Sequence, residues 1–182
     1  MASKDTKTQR FTLPGLTQAA GRAVVGILQQ RLVAYTDLHL TLKHVHWNVV
    51  GPNFIGVHEM LDPQVLLVRG YSDEVAERIA ALGASPDGRA EALGSSADHR
   101  KYPLMREKVQ AHLEALDGVY SAVIQDTREA IGELEELDLV TQDLLIGQTA
   151  RLEQFQWFIR AHLESAAGAL TDDAASAESA RK

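Results

Sequence analysis

His46–Glu77 reads HWNVVGPNFIGVHEMLDPQVLLVRGYSDEVAE and holds five side chains able to bind a metal: His46, His58, Asp62, Asp73 and Glu77. His58 and Asp62 are four residues apart, as are Asp73 and Glu77, so each pair shares one face of a helix. Counting about 100° per residue from His58, Asp62 falls near 40°, Asp73 near 60° and Glu77 near 100°. One stripe of one helix carries all four. They cannot meet at one metal within one chain. Asp62 and Asp73 are roughly 16 Å apart along a helix, and a metal holds its ligands at about 2–2.5 Å. A second copy of the helix, antiparallel across a twofold axis, brings Asp73 and Glu77 of one chain opposite His58 and Asp62 of the other, giving two equal sites per dimer. The spacing therefore predicts a metal site shared between subunits. Taken alone, Asp73 and Glu77 read as ordinary surface carboxylates; two in-phase pairs, with a histidine just before the helix, favour the shared site.

The flanking sequence is helical. From Thr17, a candidate N-cap, to about Asn48, apolar residues recur at helical spacing: Val24, Ile27, Leu28, Leu32, Tyr35, Leu38, Leu42 and Val45. Val49-Val50-Gly51-Pro52 ends that helix, and Asn53 caps a second one running to about Leu82, before Gly83. Pro63 lies inside the second helix, where it removes a backbone donor and predicts a kink. Residues 83–102 form a long connection with a short helix expected at Arg89–Leu93. Pro103 fits the first position of a third helix reaching about Glu136, with Leu104, Val109, Leu113, Leu116, Tyr120, Val123, Ile131 and Leu134 inward. Leu137–Val140 is a tight link. Thr141 to about Ala167 forms the fourth helix, with Leu144, Leu145, Leu152, Phe155, Ile159 and Leu163 inward and Gly168 as its stop. No repeat is visible, and no segment alternates as a strand.

Short links make the first and second helices, and the third and fourth, antiparallel hairpins. The connection between the hairpins is long enough to run the length of a helix. The expected fold is all-α: a ferritin-like four-helix bundle over residues 17–170 with one long crossover, preceded by a flexible segment 1–16 and followed by a flexible tail 171–182.

The chain has 182 residues, enough for one domain with a real core, and no cysteine, which excludes disulfides, thiolate metal sites and cysteine nucleophiles. Residues 1–16 lack the apolar run of a signal peptide, and no stretch is long enough to span a membrane, so a cytoplasmic protein is expected. Net charge is −7, against a globally basic nucleic-acid binder. It is uneven: residues 1–10 carry +2 through Lys4, Lys7 and Arg10 against Asp5, residues 171–182 carry −1, and the body between carries −8.

Two metal motifs are excluded by inspection. His58-Glu59-Met60-Leu61-Asp62 has aspartate where the zinc-protease motif needs its second histidine. The residues three before the seven histidines are Thr36, Thr41, Lys43, Ile55, Ser96, Val109 and Ile159. None is glutamate, so the E-x-x-H motif of a di-iron centre within one bundle is absent. His39 and His44 read as structural or exposed. Trp47 reads as core or interface packing, or more weakly as an electron donor beside a redox metal; Trp157 reads as packing.

The run LKHVHWNVVGPNFIGVHEMLD, then SDEVAERIAALG, the YPL and VQAHLEAL segments and LEQFQWFIRAHLES together resemble the Dps family, the DNA-binding miniferritins of starved cells, in a form that looks actinobacterial. The likeness covers about residues 12–170. It implies a hollow homododecamer of tetrahedral symmetry that oxidises Fe(II), preferably with hydrogen peroxide, and stores Fe(III) mineral, protecting DNA. It also implies ferroxidase sites at twofold interfaces, with His46, His58 and Asp62 from one subunit, Asp73 and Glu77 from the next, and Trp47 alongside. Imidazole and carboxylate together suit Fe(II), and also Zn(II) or Co(II); the resemblance, not the spacing, selects iron. Glu135, Asp138 and Asp143 near the last link are candidates for an acidic threefold inlet, or equally a solvated helix end. The competing function is a structural shell that coats DNA, with metal incidental. Lys4, Lys7 and Arg10 are the available phosphate contacts, and so few predict weak, salt-sensitive DNA binding.

Overall fold

The computed structural model describes residues 13–95 and 102–164. Four long helices, α1 (Gln18–Asn48), α2 (Phe54–Ala81), α4 (Val109–Leu134) and α5 (Leu139–Leu163), form the bundle, with a short α3 (Ala90–Ser95) in the crossover. α1 packs chiefly on α2 and α4 chiefly on α5; contacts of α1 with α4 and of α2 with α5 close the bundle. The expected ferritin-like architecture is what the chain adopts. No described helix is long and apolar enough to cross a membrane. The expectations for Lys4, Lys7, Arg10, Gly168 and the C-terminal tail fall outside the described residues.

The helix ends follow local chemistry where it is strong. Thr17 Oγ1 accepts from Ala20 N at 3.1 Å, which caps α1 as expected. At the end of α2, Gly83 takes a positive φ of 89°, Gly83 N donates to Ala80 O and Ala84 N to Ile79 O. That is a Schellman closure, and it needs a residue without a Cβ strain penalty at that position. Pro63 does not interrupt α2. Pro63 and Glu59, whose carbonyl loses its partner, both lie on the exposed side of this chain, so the missing bond is not buried. Asn53 sits at the N-cap of α2 but in the left-handed region, with φ 64°, and its side chain makes no capping bond.

Four expected boundaries are corrected. The third long helix begins at Val109, not Pro103. Residues 103–106 are non-helical, and Glu107–Lys108 form β2, paired in parallel with β1 (Val49–Val50), Val49 opposite Glu107 and Val50 opposite Lys108. The pairing holds residues 107–108 extended, and Leu104, expected inward, is 91% exposed. This pair of two-residue strands is the one feature with no sequence alternation behind it. The third helix also stops at Leu134, so the link is Glu135–Asp138, and α5 starts at Leu139 on an Asp138 cap rather than at Thr141. The crossover helix starts one residue later than expected, at Ala90.

The core holds most of the expected apolar positions of α1, α4 and α5, without Leu104, and adds Val57, Leu61 and Val68 of α2. Val24, Leu28, Leu38, Leu42, Val57, Leu61, Val68, Leu113, Leu116, Leu145 and Ile159 are fully or almost fully buried, while Ile27, Val109, Ile131 and Leu144 are half-buried. Its middle carries polar groups. Tyr35 and Tyr71 pack with ring centroids 5.9 Å apart, and Tyr120 Oη donates to Gln64 Oε1 at 2.8 Å. Burial pushes the Tyr35 hydroxyl up to about 12, so it stays neutral in the core.

Candidate metal centre

His46 is in the last turn of α1 and His58 near the start of α2, so the tight α1–α2 turn folds one histidine over the other. Their rings stack with centroids 3.6 Å apart at an interplanar angle of 25°. His46 Nδ1 donates to His58 O at 3.1 Å, and His58 Nδ1 donates to His46 O at 2.9 Å. A carbonyl can only accept, so both Nδ1 atoms carry the proton. On each neutral ring the Nε2 lone pair is then the one left for a metal.

Asp62 lies one turn along α2. Its Oδ1 is 3.4 Å from His46 Nδ1 and 3.6 Å from Lys43 Nζ. Lys43 Nζ also sits 5.8 Å from the centroid of the Trp47 ring. Phe54 packs its ring 5.0 Å from that of His58. Trp47 is 71% exposed, which corrects the reading of it as core.

Asp73 and Glu77 are exposed and lie about three and four turns further along α2 than Asp62, so one chain brings His46, His58 and Asp62 together and leaves those two carboxylates apart. Among the described residues of a single chain, no three His, Asp or Glu side chains are poised to hold a metal. Asp73 borders a shallow depression with Leu66, Arg69, Gly70, Ser72 and Ala76. On the same stripe as Asp62, Asp73 and Glu77, the large apolar side chains Ile55 and Leu66 are exposed, and on α1 so are Leu40 and Trp47.

Of the suggested inlet carboxylates, Glu135 and Asp143 are exposed, but Asp138 is committed elsewhere. Arg78 Nη2 reaches its Oδ2 at 2.6 Å, Thr141 Oγ1 donates to the same oxygen, and Val140 N donates to Oδ1. Partial burial raises its pKa, but the hydrogen bonds from Thr141 and Arg78 outweigh that and hold it below the usual value. An aspartate so neutralised is no longer a free charge for a pore.

The sequence reading missed Lys43, which the i, i+4 spacing to Trp47 and its place one turn before His46 were sufficient to flag. His44, expected to be structural or exposed, is structural: its half-buried ring packs edge-on against Tyr102 at 5.7 Å. Trp157 is exposed and lies against Phe158 at 5.1 Å. His39 has its pKa lowered by partial burial, then by Arg69 and Lys43.

Bundle, crossover and a histidine pair at the α1–α2 turn define a ferritin-like protein, and the Ferritin family, described as a ferritin-like domain, matches residues 25–168. The chain is 62% identical over 168 residues to the DNA protection during starvation protein of Mycolicibacterium smegmatis, covering 92% of each sequence. The solved structure of Mycobacterium smegmatis Dps in a tetragonal form superposes with a TM-score of 0.87 at 63% identity, over 89% of this chain and 98% of that one. The Dps from Microbacterium arborescens in a high iron form gives a TM-score of 0.76 at 32% identity, over 81% of this chain and 96% of that one. The chain belongs to the Dps family of ferritin-like proteins.

Proposed function

We propose that this protein is a ferroxidase whose iron sites are completed between two subunits, and that it stores the oxidised iron in a hollow dodecamer and thereby protects DNA. The observation that carries the reading is the reciprocal His46–His58 pair, which fixes two Nε2 lone pairs at the end of a helix turn. Antiparallel pairing of two α2 helices supplies Asp73 and Glu77 of one protomer to His46, His58 and Asp62 of its partner. The exposed Ile55 and Leu66 on that stripe give the contact its apolar area. Fe(II) is the substrate; Zn(II) and Co(II) fit the same donors as competitors.

Carboxylates neutralise two ferrous ions at short distance, and the imidazoles orient them. Each Fe(II) gives one electron; one hydrogen peroxide accepts both together with two protons from solvent, its O–O bond breaks, and the two oxygens leave as water. Because both electrons arrive together, no hydroxyl radical is released. Trp47, next in sequence to His46, is the candidate donor of an electron if a second ferrous ion is missing.

The relatives' names also support a role on DNA. A coat held by Lys4, Lys7 and Arg10, with metal incidental, is the second reading. Two measurements separate the two. Anaerobic loading with Fe(II) followed by peroxide gives a ferric absorbance proportional to iron, lost in His46→Ala/His58→Ala. A gel shift at low and physiological salt, with and without residues 1–10, reports the DNA role. Wild-type oxidation in the double variant rejects the assigned ligands.

A further inference from the structure

We propose that His112 and Tyr102 form a positioning latch that holds the end of α1 from outside the metal centre and so sets the placement of His46 and Trp47. The proposal rests on the ferroxidase reading for its functional consequence, though not for the contacts themselves. His112 lies in the first turn of α4 and is completely buried. Its Nδ1 is 2.8 Å from Tyr102 Oη, and the same hydroxyl reaches His112 O at 3.3 Å. The two rings are parallel within 3°, with centroids 6.0 Å apart. On its other side Tyr102 meets the edge of His44, two residues before His46. Five residues on, the non-helical strap 102–106 enters β2 and pairs with β1, the two residues that directly follow α1. The last turn of α1 is therefore gripped from two directions: by the α2 histidine through the main chain, and by the strap and α4 through Tyr102 and His112.

A leucine would fill the His112 site at less cost. Instead the fold keeps an imidazole there, its Nδ1 taken by Tyr102 and its ring facing the Asn48 carbonyl, while the Nε2 of the neighbouring His44 is buried without a hydrogen-bond partner. The groups facing His112 are His44 and the Asn48 carbonyl of α1, and Tyr102 and Glu107 of the strap. Burial lowers its pKa most and His44 adds to that; the Asn48 carbonyl and Glu107 oppose, and the net shift is down from 6.5. Burial disfavours the charged ring in the closed latch, so opening makes proton uptake easier. The latch is at full strength above the ordinary histidine range and is lost as pH falls through the depressed folded value.

The test uses the full chain. Tyr102→Phe removes one oxygen, and His112→Gln removes the titrating ring while keeping an amide of similar reach. Amide exchange at residues 46–50 is expected to quicken about tenfold in both, with residues 24–42 unchanged. Anaerobic Co(II) affinity is expected to fall about three- to tenfold, and the acid limb of Co(II) binding to become one proton less steep in His112→Gln. Unchanged exchange at 46–50, or loosening spread evenly over all four long helices, overturns the latch. If wild-type Co(II) binding ignored Glu77→Gln, the ferroxidase reading would fall, while the exchange result would still decide the latch. Binding sensitive to Glu77→Gln but indifferent to both latch variants overturns the latch alone.

Discussion

His46 and His58 each donate Nδ1–H to the other's backbone carbonyl, at 3.1 and 2.9 Å, across a turn that separates them by twelve residues. Tautomer, ring orientation and the α1–α2 closure are thus set by one reciprocal contact. A side-chain pair alone would leave either ring free to flip; main-chain acceptors do not move without the helices moving.

The shared-site reading makes a subunit-mixing prediction. His58→Ala lacks the imidazole half of the centre, and Glu77→Gln lacks the carboxylate half. Each homodimer is expected to be inactive. In a mixed dimer one site combines the intact halves and the other combines both defects. Random co-assembly is expected to restore about a quarter of wild-type peroxide-driven iron oxidation, since about half the dimers are mixed and half their sites work. Unfolding and refolding the two variants together, then measuring ferric absorbance, tests this. No recovery over the separate variants would remove the intersubunit site.

How much of this was legible beforehand follows from the range of each interaction. Thr17, Gly83 and the apolar positions from Val24 to Val45 act through neighbours within a turn or two, and the sequence displays them directly. The candidate ligands of the proposed site can be picked out because a helix converts spacing into a face. Pro103 misled because a proline marks both a helix start and an extended segment, and only the distant β1 strand decides between them. Asp138 was read as a free carboxylate because its partner, Arg78, is sixty residues away. Tyr102 and His112 sit ten apart with a non-helical strap between them, so no periodicity connects them.

Lys43 pairs with Asp62, a carboxylate that the proposed shared site would use. Its Nζ is 3.6 Å from Asp62 Oδ1, an oxygen that is well exposed to solvent. An exposed pair of this kind contributes about 0–1 kcal/mol. Lys43→Met removes the competing ammonium, and Co(II) is expected to bind up to about fivefold tighter at low salt. The gain is expected to shrink as salt rises, because screening already weakens the wild-type pair. Titration at two ionic strengths measures both; weaker binding in Lys43→Met would show that the lysine assists the metal rather than competes with it.

Asp138 joins α2 to α5. It accepts from Arg78 at 2.6 Å with both side chains largely buried, and it caps α5. Asp138→Ala removes the cap and leaves Arg78 unpaired, at an expected cost of about 2–4 kcal/mol in urea unfolding. The pH dependence has a definite sign. The folded pKa is below 3.8, so the contribution is complete above the unfolded value and disappears as pH falls through the folded one. Wild type and Asp138→Ala are therefore expected to converge in stability under strongly acidic conditions, and parallel curves down to that limit would contradict the assignment.

Leu66 tests which surface the subunits share. It is 71% exposed in the single chain yet lies on the stripe of Asp62, Asp73 and Glu77, beside the depression that Asp73 borders. On a monomer, Leu66→Glu would be a gain in surface polarity and nearly neutral in stability. At a twofold contact the substitution instead places two carboxylates close together in an apolar patch, each without a partner, and burying such a charge costs far more than a lost methyl group. Sedimentation is expected to show smaller species with unchanged helical circular dichroism, together with loss of peroxide-driven iron oxidation, although no ligand has been altered. Leu104→Glu is the control: Leu104 is 91% exposed on the strap, away from the stripe, and is expected to leave both assembly and oxidation as they are. If Leu66→Glu kept the wild-type mass and rate, the twofold contact would have to lie on a different face, and Asp73 and Glu77 would not reach a partner's histidines.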